Sequence, residues 1–214
     1  MTGRPAVGLS RFVSRPDRPA PAPPPPEPER CELCGIVVGD RHGHLVDRQE
    51  HGIRCACRPC YLLFTGEAAA GGRYRAVPDR YVRDPDRTIS VADWADLQIP
   101  VGMAFFLRMS DQPGMTAFYP SPAGATECLL DLDAWDRLTT TQPMLAAAEP
   151  DVEAVLIRRT DDDFEYFIVP IDACYQLVGT LRLHWHGFDG GTEARQHIEE
   201  FFANARARAQ VFAS

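Results

Sequence analysis

An α+β fold is predicted: a small four-cysteine module followed by a larger sandwich, one small antiparallel sheet with helices packed on it. Two observations carry this reading. Five of the seven cysteines fall between residues 31 and 60, as Cys31-Glu-Leu-Cys34 and Cys55-Ala-Cys57-Arg-Pro-Cys60, which is too dense a cluster for an ordinary core. Beyond residue 76, strand-length apolar runs joined by short turns are mixed with stretches of helical period, and short turns join antiparallel neighbours.

The module is read over residues 31–75. His44-Leu-Val-Asp47 and Ile53-Arg-Cys-Ala56 alternate about the turn Arg48–Gly52 and predict a hairpin between the cysteine pairs. Pro59 suits a first helical turn, so Cys60–Thr65 is expected as a short helix stopped by Gly66. Knuckle, hairpin and helix in that order resemble a treble clef; a zinc ribbon or rubredoxin-like fold, with a strand after Cys60, is the alternative. Gly71–Ser90, rich in Arg, Asp and Pro, is expected to cross over to the second domain, 76–214.

In that domain Val101–Met109 and Gly114–Tyr119 are expected to pair about Asp111-Gln-Pro-Gly114, and Pro120–Gly124 to form a loop. Leu132–Thr140 is expected as a helix presenting Trp135 and Leu138. Val152–Arg159 and Phe164–Val169 flank Asp161–Asp163 as a second hairpin with an acidic tip. Ile171–His184 is expected as a helix with Tyr175, Val178 and Leu181 on its apolar face. Gly187–Gly191 ends it, and Thr192 caps a last helix reaching about Ala209.

Composition bounds the function. An apolar share of 45% allows a sizeable core, and no apolar run approaches the roughly 20 residues of a membrane span. With no secretory segment evident, a cytoplasmic protein with reduced thiols is expected, so clustered cysteines mean metal or redox chemistry rather than disulfides. All 22 basic residues are arginine, which excludes a Schiff-base lysine and a phosphate-loop lysine. Residues 1–30, Pro- and Arg-rich, are expected as a disordered leader. Residues 88–214 carry 8 Arg against 19 acids, a net of −11, which would repel a nucleic-acid backbone.

Four thiolates close a tetrahedral Zn²⁺ or Fe²⁺ site. Cys31, Cys34, Cys57 and Cys60 are chosen because both pairs then have the Cys-x-x-Cys spacing of a knuckle. Cys55 is the alternative ligand, since 20 residues between the pairs fit as well as 22. Zinc is the expected ion and iron the alternative. His42, His44 and His51 lie between the pairs as ligands or as hydrogen-bond partners of the sulfurs. His184 and His186 lack a carboxylate partner except Asp189. Ser121, Glu127 and Asp172 are candidates for a small-molecule pocket, yet Ser121 lies in no Gly-x-Ser-x-Gly elbow, and no complete catalytic set is present.

The cysteine run, Arg73-Tyr-Arg-Ala-Val-Pro78, Phe118-Tyr-Pro-Ser-Pro-Ala-Gly124 and Val169-Pro-Ile-Asp-Ala-Cys-Tyr-Gln-Leu-Val-Gly179 together resemble an uncharacterised actinobacterial family of unknown function associated with nickel–iron hydrogenase gene neighbourhoods. The resemblance spans about residues 30–205. It implies an accessory role toward a hydrogenase component, in assembly or electron transfer, and assigns no catalytic residue. The expectation is therefore a non-enzymatic metal-binding accessory protein with a protein partner, no nucleic acid and no membrane. The alternative is a rubredoxin-like iron or thiol redox protein.

Overall fold

The structure is a computed structural model in which residues 28–66, 69–161, 163–187 and 190–213 are described. The leader expected over 1–30 lies outside them as far as residue 27, as do Asp162 of the acidic tip and Asp189.

Between the cysteine pairs, β1 (Gly43–Asp47) and β2 (Gly52–Ala56) pair antiparallel, with His44 opposite Cys55 and Val46 opposite Ile53. Helix α1 (Arg58–Leu63) follows directly, with Cys57 as its N-terminal cap and Pro59 in its first turn, where the missing N–H removes no helical bond. The helix thus begins two residues before the expected Cys60. A strand that the pattern does not announce, β3 (Tyr74–Ala76), lies inside the expected crossover and pairs with the free edge of β1, giving the order β2-β1-β3.

The main sheet has seven strands: β4 (Val82–Arg83), β5 (Met103–Leu107), β6 (Thr116–Ser121), β7 (Gly124–Cys128), β8 (Glu153–Arg159), β9 (Phe164–Pro170) and β10 (Gln210–Val211). Their order is β10-β4-β9-β8-β5-β6-β7, antiparallel throughout except for the parallel edge pair β10 and β4. The expected loop Pro120–Gly124 is instead a tight hairpin: Ser121 faces Gly124 and Pro120 faces Ala125. Proline is tolerated there because β5 pairs β6 only from Thr116 to Phe118, so no β5 carbonyl waits for an N–H at Pro120.

Alternation along the strands builds two cores. Phe105, Leu107, Leu156, Phe167 and Val169 face α4 (Ile171–His184) and α5 (Gly191–Arg208). Ala104, Phe106, Val155, Ile157 and Ile168 face the opposite side, where Trp94 of α2 (Val91–Asp96) and Trp135 and Leu138 of α3 (Leu132–Thr141) close the layer. With both faces covered, β8 is buried from Glu153 to Arg158. In α4 the buried line is Cys174, Leu177, Val178 and Leu181; Tyr175, expected on it, is exposed. Gly190, in the left-handed region at φ 83°, caps α5 where Thr192 was expected, and no side chain makes the cap bond.

Val46 and Val77 belong to the core under α4 and α5, and Ile53 packs on it, so the cysteine-bearing sheet sits on the main domain through apolar contact. Arg75 adds a bond to the Pro150 carbonyl at 2.9 Å, and Arg48 pairs with Asp151 at 3.1 Å. No helix among the described residues is long and apolar enough to cross a membrane.

Candidate metal centre

The first cysteine pair sits on a tight loop. The Cys31 N–H donates to the Ile36 carbonyl and the Gly35 N–H to the Cys31 carbonyl, both at 2.8 Å. Gly35 stands at φ 75°, a left-handed conformation that a β-carbon disfavours. The second pair is Cys57 and Cys60, one at the mouth of α1 and one in its first turn. Glu32 fastens loop to hairpin: its backbone N–H donates to the Cys55 carbonyl at 2.9 Å, and its carboxylate accepts from the Cys55 N–H and from Arg54, each at 2.9 Å. Burial works against ionisation of Glu32, but the Cys55 N–H and Arg54 outweigh it and hold the carboxyl below its usual range.

These attachments bring four sulfurs together. The Sγ atoms of Cys31, Cys34, Cys57 and Cys60 all lie within 4.8 Å of one another, and Cys34 and Cys57 are 3.6 Å apart. Four thiolates about 2.3 Å from a tetrahedral ion stand about 3.8 Å from each other, so the set fits such an ion with sub-ångström to ångström adjustments. Cys31 is buried and Cys34 exposed. Burial raises the Cys31 thiol, yet the backbone N–H groups of Cys57, Leu33 and Cys34 outweigh it and bring the thiol down to about 6. Hydrogen bonding with Cys57, then burial and the remaining thiols, pushes Cys60 up to about 12. A crowd of thiols that resists full ionisation by itself is the environment a cation inverts, because a coordinated thiol is deprotonated outright.

Cys55 is not in that group. It stands on β2, its thiol raised by burial and by the negative charge of Glu29, Glu32 and Cys31. The histidines are not in that group either. His42 and His44 gather with Cys55, each residue offering a ligand atom within 4.8 Å of the others. His51 directs Nε2 to Asp111, 3.2 Å away.

The three pocket candidates separate. Asp172, in the first turn of α4, opens on a cleft of about 1510 Å³ between the module and the main domain and binds His44 Nδ1 at 2.6 Å. Ser121 is engaged inside its own hairpin, by the Gly124 carbonyl and Thr126 Oγ1 at 3.0 Å each. Glu127 is exposed on β7, and neither Ser121 nor Glu127 lines that cleft. His184 finds a carboxylate in Glu193 at 2.6 Å, and its ring is tilted against that of His197 with centres 4.1 Å apart; Asp189 lies outside the described residues. Nothing in the local sequence marks Glu32 as the clasp of the site; its partners are defined only by the fold.

The model of a family of unknown function (DUF5947) matches residues 30–209, which takes in the whole cysteine module and nearly all of the second domain. No curated protein and no solved structure matches the chain.

Proposed function

The chain belongs to that family of unknown function, and on this premise we propose a metal-binding accessory protein, non-enzymatic in its four-cysteine centre, with structural zinc in a treble-clef-like finger. One observation carries the reading: four sulfurs from a knuckle and a helix start, 22 residues apart in the chain, meet within 4.8 Å. Four thiolates leave a zinc ion no open position, so the ion cross-links the fold and takes no substrate. Around it Ile36 and Val37 on the knuckle, and Leu62 and Leu63 on α1, expose apolar side chains, a pattern suited to docking a protein partner. A nickel–iron hydrogenase component is the partner to try first, as the resemblance of the sequence implies.

Elemental analysis of the native full-length chain tests the centre. Zinc is expected at these four cysteines, and Cys34→Ser should carry one ion fewer per chain, the affinity of this centre falling more than tenfold. Zinc content unchanged in Cys34→Ser would overturn the reading. A second reading, a rubredoxin-like iron centre passing electrons, is favoured by the solvent exposure of Cys34. Anaerobically purified protein coloured by thiolate-to-iron charge transfer, with iron in place of zinc, would establish it.

A further inference from the structure

We propose that His42, His44 and Cys55 form a second metal site, separate from the four-cysteine centre, in which Zn²⁺ takes three protein ligands and keeps a fourth position open toward the cleft.

The backbone assembles this site by strand geometry. His44 of β1 and Cys55 of β2 are directly opposite in the antiparallel register, so their side chains emerge side by side on one face. His42 lies two residues before His44 in extended chain, the spacing that returns a side chain to the same face, and the two rings meet edge-on with centres 4.8 Å apart. One ligand atom from each of the three residues falls within 4.8 Å of the others. Zinc with nitrogen at 2.0–2.1 Å and sulfur at 2.3 Å requires about 3.3–3.6 Å between ligand atoms, so closing on the ion takes about an ångström of side-chain movement.

The hydrogen bonds engage Nδ1 of each histidine and leave Nε2 for an ion. His42 Nδ1 is engaged by the Gly39 carbonyl at 2.9 Å. His42 Nε2 is buried with no partner, on a side chain only 8% exposed. A buried nitrogen without a partner is costly, and a bound cation removes the deficit. His44 Nδ1 is held at 2.6 Å by Asp172, the carboxylate–histidine arrangement that fixes the orientation of a ligand ring. Glu29 and Glu32 put negative charge beside Cys55, which favours a cation over an anion. Two imidazoles and one thiolate suit zinc among the divalent ions. His42 and His44 both line the large cleft, so the fourth position faces a space that admits water or a small ligand. Three protein ligands with one position open distinguish this site from the closed four-thiolate centre.

The test uses the full chain, stripped by chelator and titrated with Zn²⁺ alone under reducing conditions. Wild type is expected to bind two ions per chain. His42→Ala, His44→Ala and Cys55→Ser are each expected to bind one, with far-UV circular dichroism confirming the fold. In wild type, mass-spectrometric mapping of alkylation is expected to show Cys55 protected at two equivalents and reactive at one, with Cys128 as the unprotected control. A wild type that stops at one ion with Cys55 still reactive overturns the proposal. So does any of the three variants retaining two ions, or all three losing both, since Cys55 and the histidines would then be parts of a single centre.

Discussion

Asp47 shows how one buried side chain secures the module. Its carboxylate is buried, accepts from Arg73 Nη2 at 2.7 Å, and also accepts from the N–H groups of Gln49 and Glu50, which ties the β1 end to the turn. Hydrogen bonding to Arg73 outweighs burial and holds the Asp47 carboxyl below its usual range. A depressed carboxyl contributes stability that is present above the unfolded value of about 3.9 and lost as pH falls through the lower folded value. Asp47→Asn keeps the shape and removes the charge. It should cost about 1–2 kcal/mol at pH 7, with the deficit shrinking as pH drops below about 4. Urea unfolding of both proteins from pH 7 to pH 3 measures this, and a deficit that does not change with pH would show that the charge is not what matters.

At the scale of elements, the hairpin and α1 meet at Gly43. A β-carbon there would stand 2.4 Å from Tyr61 Cδ2 and 2.8 Å from Cγ, the rigid base of the ring rather than a flexible tip. Tyr61 has little room to yield, because its hydroxyl donates to the Val77 carbonyl at 3.0 Å. Gly43→Ala should therefore push α1, and Cys60 with it, off the hairpin. We expect a loss of about 1–3 kcal/mol and a severalfold weaker zinc affinity, read by thermal unfolding and by chelator competition. Unchanged zinc affinity would mean that the helix does not need this close contact. The elements legible in the sequence are those whose partner lies nearby: the β1–β2 and β8–β9 hairpins, and α4 with its period of buried residues. Cysteine spacing announced the cluster of four sulfurs in the same way, since both pairs place two residues between their thiols. Strands β3, β4 and β10 are two or three residues long and paired with distant partners, so no local period announces them. The gathering of His42, His44 and Cys55 needed the register of the hairpin, which hydrophobic pattern alone leaves open. Alternation at 42 and 44 was the available signal, legible only once that stretch is taken as extended. The hairpin at Pro120–Gly124 reads as a loop because a Pro/Gly-rich loop and a two-residue hairpin share the same residues.

Over the whole molecule, a metal held at the four cysteines would be coupled to the fold through shared core. Val46 and Val77 are buried with Leu156, Phe167 and Phe202 under α4 and α5, and Asp172 of α4 holds His44 of the hairpin. An ion that holds the knuckle to α1 thereby supports the surface on which that core closes. A ligand bound only by the folded chain, at a hundred times its dissociation constant, adds about 2.7 kcal/mol. In a chain of this size each kcal/mol is worth about 2–4 °C, so complete metal removal should lower the melting temperature by about 5–10 °C. The site of the effect separates a coupled fold from two independent ones. Trp94 and Trp135 lie in the opposite core, behind the seven-stranded sheet and away from the four clustered cysteines; Trp185 packs on the core that holds Val46 and Val77, so Trp185→Phe is the background for the measurement. If the module is an integral part of the molecule, tryptophan fluorescence and far-UV circular dichroism melt together, and both shift when chelator is added. If the module is an appendage, the tryptophan transition stays where it was while a small early loss of dichroism reports the unravelled hairpin. The contacts of Val46, Val77 and His44 favour the first outcome: chelation at one end of the chain is expected to be felt by indole rings on the far face of the main sheet.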